Sequence, residues 1–75
     1  MSPRIGPLPY RKVARALEKA GFRPVRQAGS HVRFQHPDGR GATVPRHPGQ
    51  DIDPWLLRKI LRESGLSVDE FQRWI

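Results

Sequence analysis

Residues 29–44 read GSHVRFQHPDGRGATV, and this stretch decides how the chain folds. Its first half alternates between apolar and polar side chains, with Val32 and Phe34 set against His31, Arg33 and Gln35. Such alternation is typical of a strand with one buried face. The HPDG segment that follows has proline at the second and glycine at the fourth turn position, as type I turns prefer. The stretch therefore predicts two antiparallel strands joined by a tight turn, with the polar set facing outward.

A further strand on the amino-terminal side completes a three-stranded meander. The segment FRPVRQ (residues 22–27) has strand character, and its proline favours the edge of a sheet. Residues 28–30 form a short turn into the second strand. Residues 40–44 return as the third strand, with Ala42 and Val44 on one face. We expect these strands to form one antiparallel sheet.

A helical pattern precedes the strands. Apolar side chains recur at i, i+3, i+4 and i+7, at Tyr10, Val13, Ala14 and Leu17. Pro9 suits the first turn of a helix and Gly21 suits its carboxyl end. We predict a helix from Pro9 to Ala20. Residues 1–7 contain two prolines and a glycine and are predicted to be a flexible segment, ahead of a single domain over residues 8–75.

Two helices are predicted after the strands. Asp53 and Pro54 suit the N-cap and first position of a helix that ends at Gly65. Its apolar stripe consists of Leu56, Leu57, Ile60 and Leu61. Residues 67–70 (SVDE) form a capping box that begins a short third helix over residues 68–74.

The predicted fold is therefore α+β, with the order α-β-β-β-α and a short extra helix at the carboxyl end. Val32 and Phe34 must face the helices, so both long helices cover one face of the sheet and the other face is open. The double-stranded-RNA-binding domain has the same order of elements.

Composition favours a nucleic-acid partner. The 75 residues include 14 Lys and Arg against 7 Asp and Glu, a net charge of +7, and 11 of the cations are arginine. Guanidinium groups bind phosphates bidentately and stack on bases. No apolar run is long enough for a membrane span, which takes about 20 residues. The chain has no cysteine, which is compatible with a reducing cytosol, and we expect a cytoplasmic protein without membrane association.

Five short motifs occur in order along the chain: AGF at 20–22, GSH at 29–31, HPDGR at 36–40, VPRH at 44–47 and ILRESGLS at 60–67. With these motifs, the chain from about Leu8 to Phe71 resembles the HicA-type toxins, also called YcfA-like proteins. These are small mRNA interferases of bacterial type II toxin–antitoxin pairs. The resemblance implies a double-stranded-RNA-binding-domain-like fold, metal-independent cleavage of mRNA and neutralisation by a HicB-type antitoxin. It also implies that His31 is the catalytic residue, although Val32 stands where many relatives have a second histidine.

Histidine suits the proton transfers of RNA cleavage, because its usual pKa near 6.5 leaves both protonation states populated at neutral pH. We expect His31 to be a general acid or base, and the sequence leaves the choice open. The residues expected to bind RNA or its phosphates are Gly29, Ser30, Arg33, Arg26, Arg46 and His47. His36 is expected to be a turn residue. No acidic pair suited to magnesium accompanies the GSH motif, so we expect neither a metal nor another cofactor.

Two other functions are compatible with the sequence. The first is an RNA-binding module of the same fold without catalysis. The second is a helix-turn-helix DNA-binding protein, because residues 56–74 contain a helix, a glycine turn and a second helix. The second helix begins with Asp69 and Glu70, which phosphates would repel, so we rank this function last. The resemblance to the toxin family implies that the antitoxin carries the DNA-binding part and that any DNA contact is indirect. Trp55, Phe71 and Trp74 are expected to be core residues or antitoxin contacts before base-stacking groups.

Overall fold

The computed structural model describes residues 5–75 and contains a three-stranded sheet, a second two-stranded sheet and three helices in that part of the chain. The elements in chain order are β1 (Leu8–Pro9), α1 (Tyr10–Lys19), β2 (Arg23–Ala28), β3 (His31–Gln35), β4 (Gly41–Pro45), β5 (Asp51–Ile52), α2 (Pro54–Ser64) and α3 (Val68–Arg73). The α+β class and the α-β-β-β-α layout predicted from the sequence are confirmed.

The larger sheet is an antiparallel meander in the order β2-β3-β4. In β3, Val32 and Phe34 are buried, while His31 and Gln35 are exposed, as the alternation predicts. Every residue of β2 is exposed, and the register between β2 and β3 shifts between Pro24 and Arg26. This bulged strand with a proline occupies the sheet edge, where a missing N–H is tolerated.

The smaller sheet was not predicted. It pairs β1 with β5 in antiparallel register, Leu8 with Ile52 and Pro9 with Asp51. Strands of two residues are too short for an alternating pattern, so the sequence contains no signal for them. The pairing fixes the start of α1 next to the start of α2.

The helices begin and end close to the predicted positions, and their caps explain where. The Asp53 carboxylate accepts a hydrogen bond from the Leu56 N–H at 3.0 Å, with Pro54 in the first turn of α2. Gly65 ends α2 in the left-handed region with φ +73°, which favours glycine. The predicted capping box of α3 is present, with Ser67 and Glu70 each bonded to the other's backbone N–H.

One hydrophobic core lies between the helices and the inner face of the larger sheet. Its fully buried large side chains include Leu17 of α1, Phe34 of β3, Leu57 of α2 and Phe71 of α3. No helix in the described part of the chain is long and apolar enough to cross a membrane.

The segment predicted to be flexible, residues 1–7, falls partly on residues 1–4, which lie outside the described residues. Within the described part, Ile5 is buried against the core. Gly6 and Pro7 are exposed.

Candidate active site

His31 is the first residue of β3 and faces away from the core. It lies between Ala28 of β2 and Pro45 of β4 in the sheet register, and its side chain is exposed. The next residue, Val32, is buried on the opposite face. Because side chains alternate along a strand, burial of Val32 and Phe34 turns the His31 imidazole outward.

A two-residue turn of Gly29 and Ser30 leads directly into His31. Gly29 has φ +58°, and Ser30 has no positive φ, which is the pattern of a type II′ hairpin turn. A Cβ at Gly29 would meet no atom within 4 Å, so the space above this turn is open to a ligand. The Ser30 carbonyl accepts a hydrogen bond from the Arg46 N–H, which joins the turn to the end of β4.

The Arg33 side chain reaches two residues of the neighbouring strand β4. Its Nη1 donates a hydrogen bond to the Thr43 hydroxyl at 3.3 Å. Its Nη2 lies over Gly41, where a Cβ would come within 2.6 Å of it. The absence of a side chain at Gly41 therefore gives the guanidinium its place on the open face.

Two adjacent hollows on this face share His31 and Thr43. The first, of about 190 Å³, is lined by Arg26, Ala28, His31, Arg33 and Thr43. It brings three of the predicted site residues together, one imidazole and two guanidinium groups. Two guanidinium groups beside an imidazole are suited to holding a phosphate near it.

The second hollow, of about 270 Å³, lies between the open face and α2. It is lined by His31, Thr43, Pro45, Leu56, Lys59 and Glu63. Leu56, Lys59 and Glu63 share one flank of α2 through their spacing of three and four residues. The helix α2 thus borders the open face of the sheet on its β4 side.

Lys59 and Glu63 are absent from the residues predicted for the site. Their helical spacing with Leu56 is visible in the sequence, but any exposed helix flank shows such spacing. Only the packing of α2 beside β4 brings them to His31. The sequence contains no signal for that placement.

Arg46 and His47 lie on a different part of the surface. The Arg46 guanidinium stacks over the Tyr10 ring at 5.3 Å from its centroid. Both residues line a hollow of about 260 Å³ with Tyr10 and Arg11, and neither lines the two hollows described above. Burial raises the pKa of Tyr10, and the nearby positive charge of Arg46 opposes that rise. The predicted set of RNA-binding residues is therefore divided between two places.

The HPDGR segment (residues 36–40) packs against the core. The His36 ring meets the Phe22 ring edge-on at 5.1 Å, and its Nδ1 accepts a hydrogen bond from the Asp38 N–H at 3.1 Å. That nitrogen also lies 3.0 Å from the Asp38 carboxylate, a contact that is an ion pair only when the imidazole is protonated. His36 is a turn residue, as predicted.

Arg40 secures the same segment to α2. Its guanidinium lies over the Phe22 ring at 5.3 Å, and its Nη1 donates a hydrogen bond to the Ser64 carbonyl at 3.1 Å. Its Nε donates to the Asp38 carboxylate at 2.8 Å. The hydrogen bond from the Arg40 N–H and the charge of its guanidinium hold the pKa of Asp38 below its ordinary value.

The three aromatic residues expected in the core or at the antitoxin interface differ in their burial. Phe71 is buried in the core, whereas Trp55 is 72% exposed and Trp74 is 38% exposed. Trp55 is therefore no core residue, since α2 packs through Leu57, Ile60 and Leu61 instead. Among residues 5–75, no three His, Asp or Glu side chains are grouped so that they could hold a metal ion.

Comparison with known proteins places these features in a family. No curated protein matches the chain significantly. The family model for the HicA toxin of bacterial toxin–antitoxin systems matches residues 10–66, which span the chain from α1 through α2. That range includes His31, both hollows beside it and the HPDGR turn. The chain therefore belongs to the HicA toxin family, whose members are the toxins of bacterial toxin–antitoxin pairs, and this membership implies an antitoxin partner.

Proposed function

We propose that this toxin is a metal-independent endoribonuclease that cleaves mRNA, with His31 as a proton-transfer group, and that a HicB-type antitoxin neutralises it. The observation that carries the proposal is the exposed His31 imidazole, which shares one hollow with Arg26 and Arg33 and a second with Lys59. These residues supply a group that transfers protons and cations that bind phosphate.

The reaction begins at the 2′-hydroxyl, which RNA has and DNA lacks. The 2′-oxygen attacks the neighbouring phosphorus and expels the 5′-oxygen. A base must accept the hydroxyl proton, and an acid must protonate the leaving oxygen. A well-placed acid or base contributes roughly 10²–10⁴-fold to such a rate.

Arg33 is the best-positioned phosphate ligand of the site. Its bond to Thr43 and its place over Gly41 hold the guanidinium on the open face before any ligand arrives. A cation that is already ordered loses less side-chain entropy on binding a phosphate than a free one. The open turn at Gly29 lets an RNA backbone come close on the same side.

The helices α2 and α3 support a DNA-binding helix-turn-helix less well than the open face of the sheet supports RNA binding. α3 has six residues, two of the three in its first turn are acidic, and Phe71 ties it to the core. A recognition helix would present its amino-terminal residues to base edges, next to phosphates that repel carboxylates. We therefore assign nucleic-acid binding to the open face of the sheet.

Purified protein incubated with mRNA in EDTA tests the proposal. We expect cleavage by the wild-type protein and loss of cleavage, by about 10²-fold or more, in His31→Ala. Gln35→Ala is the matched control, because Gln35 is exposed on the same face of the same strand. Both side chains are exposed, so the free energy of unfolding of each variant should lie within about 0.5 kcal/mol of the wild-type value.

Intact transcripts after incubation with the wild-type protein would contradict the nuclease activity and favour an RNA-binding module without catalysis. Cleavage by His31→Ala at the wild-type rate would remove His31 from the mechanism. The partner is tested separately by expression: the chain alone should arrest growth, and co-expression of an adjacent reading frame of the HicB type should restore it.

A further inference from the structure

We propose that Glu63 is the second proton-transfer group of this site, accepting the 2′-hydroxyl proton while His31 protonates the leaving oxygen, and that Lys59 binds the scissile phosphate. This inference rests on the proposed ribonuclease function and assigns the roles within it. Neither residue belongs to the GSH motif, and both come from α2.

The hollow between β4 and α2 has a suitable composition. Three of its six lining residues are ionisable, one imidazole, one ammonium and one carboxylate, at His31, Lys59 and Glu63. Its volume of about 270 Å³ lies just below the roughly 300–1,000 Å³ of small-molecule pockets. That size suits one unit of a longer chain, such as a ribose with its phosphate.

The three ionisable side chains are free to meet a ligand. Within residues 5–75, none of them has a side-chain hydrogen bond or an ion pair, although Lys59 and Glu63 stand four residues apart on one helix. Lysine placed four residues before glutamate is the less favourable order for a helical ion pair. The Glu63 carboxylate and the Lys59 ammonium share a hollow without pairing with each other. The carboxylate is therefore available to accept a substrate proton, and the ammonium is available to bind a substrate phosphate.

The backbone that carries these side chains is well anchored. α2 is capped by Asp53 at its start and by Gly65 at its end. The Ser64 carbonyl, next to Glu63, accepts a hydrogen bond from Arg40 of the HPDGR turn. A catalytic group on a helix fixed at both ends keeps its position more exactly than one on a loop.

The chemistry requires two proton-transfer groups, and the site contains two. The Glu63 carboxylate accepts the proton of the 2′-hydroxyl as the 2′-oxygen forms a bond to phosphorus. The bond from phosphorus to the 5′-oxygen breaks, its electron pair goes to that oxygen, and the His31 imidazolium donates a proton to it. The products are a 2′,3′-cyclic phosphate and a 5′-hydroxyl end, and proton exchange with water restores both side chains. The Lys59 ammonium stabilises the negative charge that accumulates on the phosphate oxygens.

An RNA oligonucleotide with sulfur in place of the 5′-bridging oxygen distinguishes the roles. A thiolate is a good leaving group without a proton, because thiols are far more acidic than alcohols. On natural RNA, we expect His31→Ala and Glu63→Gln each to lose roughly 10²–10⁴-fold in rate. On the sulfur-containing RNA, His31→Ala should return towards the wild-type rate, and Glu63→Gln should stay slow.

Glu18→Gln, an exposed glutamate on α1 outside the hollow, is the matched control and should cleave both substrates at the wild-type rate. Lys59→Ala should slow cleavage of both substrates, since the phosphate is unchanged by the sulfur. Circular dichroism of each variant verifies its fold, and Glu63→Ala provides a second substitution at that position.

Two outcomes would overturn the inference while the proposed function stands. One is a wild-type rate for both Glu63 variants on natural RNA. The other is rescue of Glu63→Gln, and not His31→Ala, by the sulfur substrate, which would reverse the roles. Intact natural RNA with the wild-type protein would instead overturn the proposed function itself.

Discussion

At the scale of single residues, the open face depends on a missing side chain. Gly41 leaves room for the Arg33 guanidinium, whose Nη1 is held by Thr43 at 3.3 Å. A Cβ at Gly41 would also lie 2.9 Å from the backbone carbonyl oxygen of Phe34, which cannot move away as a side chain can. The glycine is therefore required by space in the sheet as well as by Arg33.

We predict that Gly41→Ala lowers the free energy of unfolding by about 1–3 kcal/mol, the usual cost of overpacking. It should also weaken RNA binding, because Arg33 is displaced. Urea unfolding followed by circular dichroism measures the first effect. Gly6→Ala is the control, since a Cβ at Gly6 meets nothing within 4 Å and should change neither property. An unchanged stability in Gly41→Ala would show that β4 moves to accept the methyl group.

Asp38 couples the stability of the HPDGR turn to pH. Its folded-state pKa is lowered, chiefly by the Arg40 N–H and further by the Arg40 guanidinium. A carboxyl whose pKa falls on folding stabilises the protein above its unfolded value, near 3.8, and this contribution is lost as the pH falls through the lower folded value.

Asp38→Asn should therefore have a lower melting temperature than wild type at pH 7, and the difference should shrink below about pH 4. Melting curves at pH 7, 5 and 3 measure it. Asp69→Asn is the control, an exposed aspartate without a hydrogen-bond partner in the described part of the chain. A difference between Asp38→Asn and wild type that is constant with pH would exclude ionisation of Asp38 as the cause.

At the scale of elements, α3 is a short helix that depends on its cap. It has six residues and one buried side chain, Phe71, and its capping box pairs Ser67 with Glu70 at 3.0 and 3.2 Å. The hydrogen bond from the Ser67 N–H to the Glu70 carboxylate also lowers the pKa of Glu70. Helices this short are unstable in isolation, so cap and core contact together maintain α3.

We predict that Ser67→Ala costs about 1 kcal/mol of unfolding free energy, because the Glu70 N–H loses its acceptor. Ser67→Asp keeps an oxygen at the N-cap and should stay within a few tenths of a kcal/mol of wild type. Urea denaturation compares the three proteins. Equal losses in both variants would show that packing around residue 67, rather than the cap, is responsible.

The elements also show which features a sequence can reveal. The alternation around Phe34, the Asp53 and Ser67 caps and the HPDG turn are local, so their periods and turn residues predicted the meander and the helices. Pairing of β1 with β5 joins residues more than forty positions apart and has no pattern of its own. It follows from the packing of the whole domain.

The site shows the same division. His31, Arg33 and Arg26 could be predicted to lie together because they belong to neighbouring strands of one meander. Lys59 and Glu63 could not, because their position depends on how α2 packs beside β4. Arg46 was predicted for the same patch from its place after the third strand, but its side chain turns to Tyr10 instead.

At the scale of the whole molecule, the chain carries a net charge of +7, and the proposed RNA binding should depend on salt through the cations of the open face. Arg26, Arg33 and Lys59 surround His31, and binding of a single strand to three such cations releases about two counterions. We predict a roughly 20-fold loss of RNA affinity between 50 and 200 mM salt. Fluorescence anisotropy with a labelled RNA at several salt concentrations measures the slope.

Arg26→Gln should reduce that slope by about 0.7, the contribution of one phosphate contact on a single strand. Arg15→Gln, on the exposed side of α1, removes the same charge elsewhere and should leave the slope near its wild-type value. Equal reductions in the two variants would mean that net charge, rather than the open face, governs binding.

The exposure of Trp55 determines how the protein can be followed optically. An indole that is already 72% exposed changes its emission little when the chain unfolds, so a change on denaturation would come mainly from Trp74, which is 38% exposed. Trp55 stands four residues before Lys59 on α2 and so shares a flank of the helix with this lining residue of the hollow that contains His31. A strand of RNA or an antitoxin segment that binds along that flank would exclude water from the indole ring and shift its emission to shorter wavelength. We therefore expect the emission of Trp55 to report complex formation in the unlabelled protein.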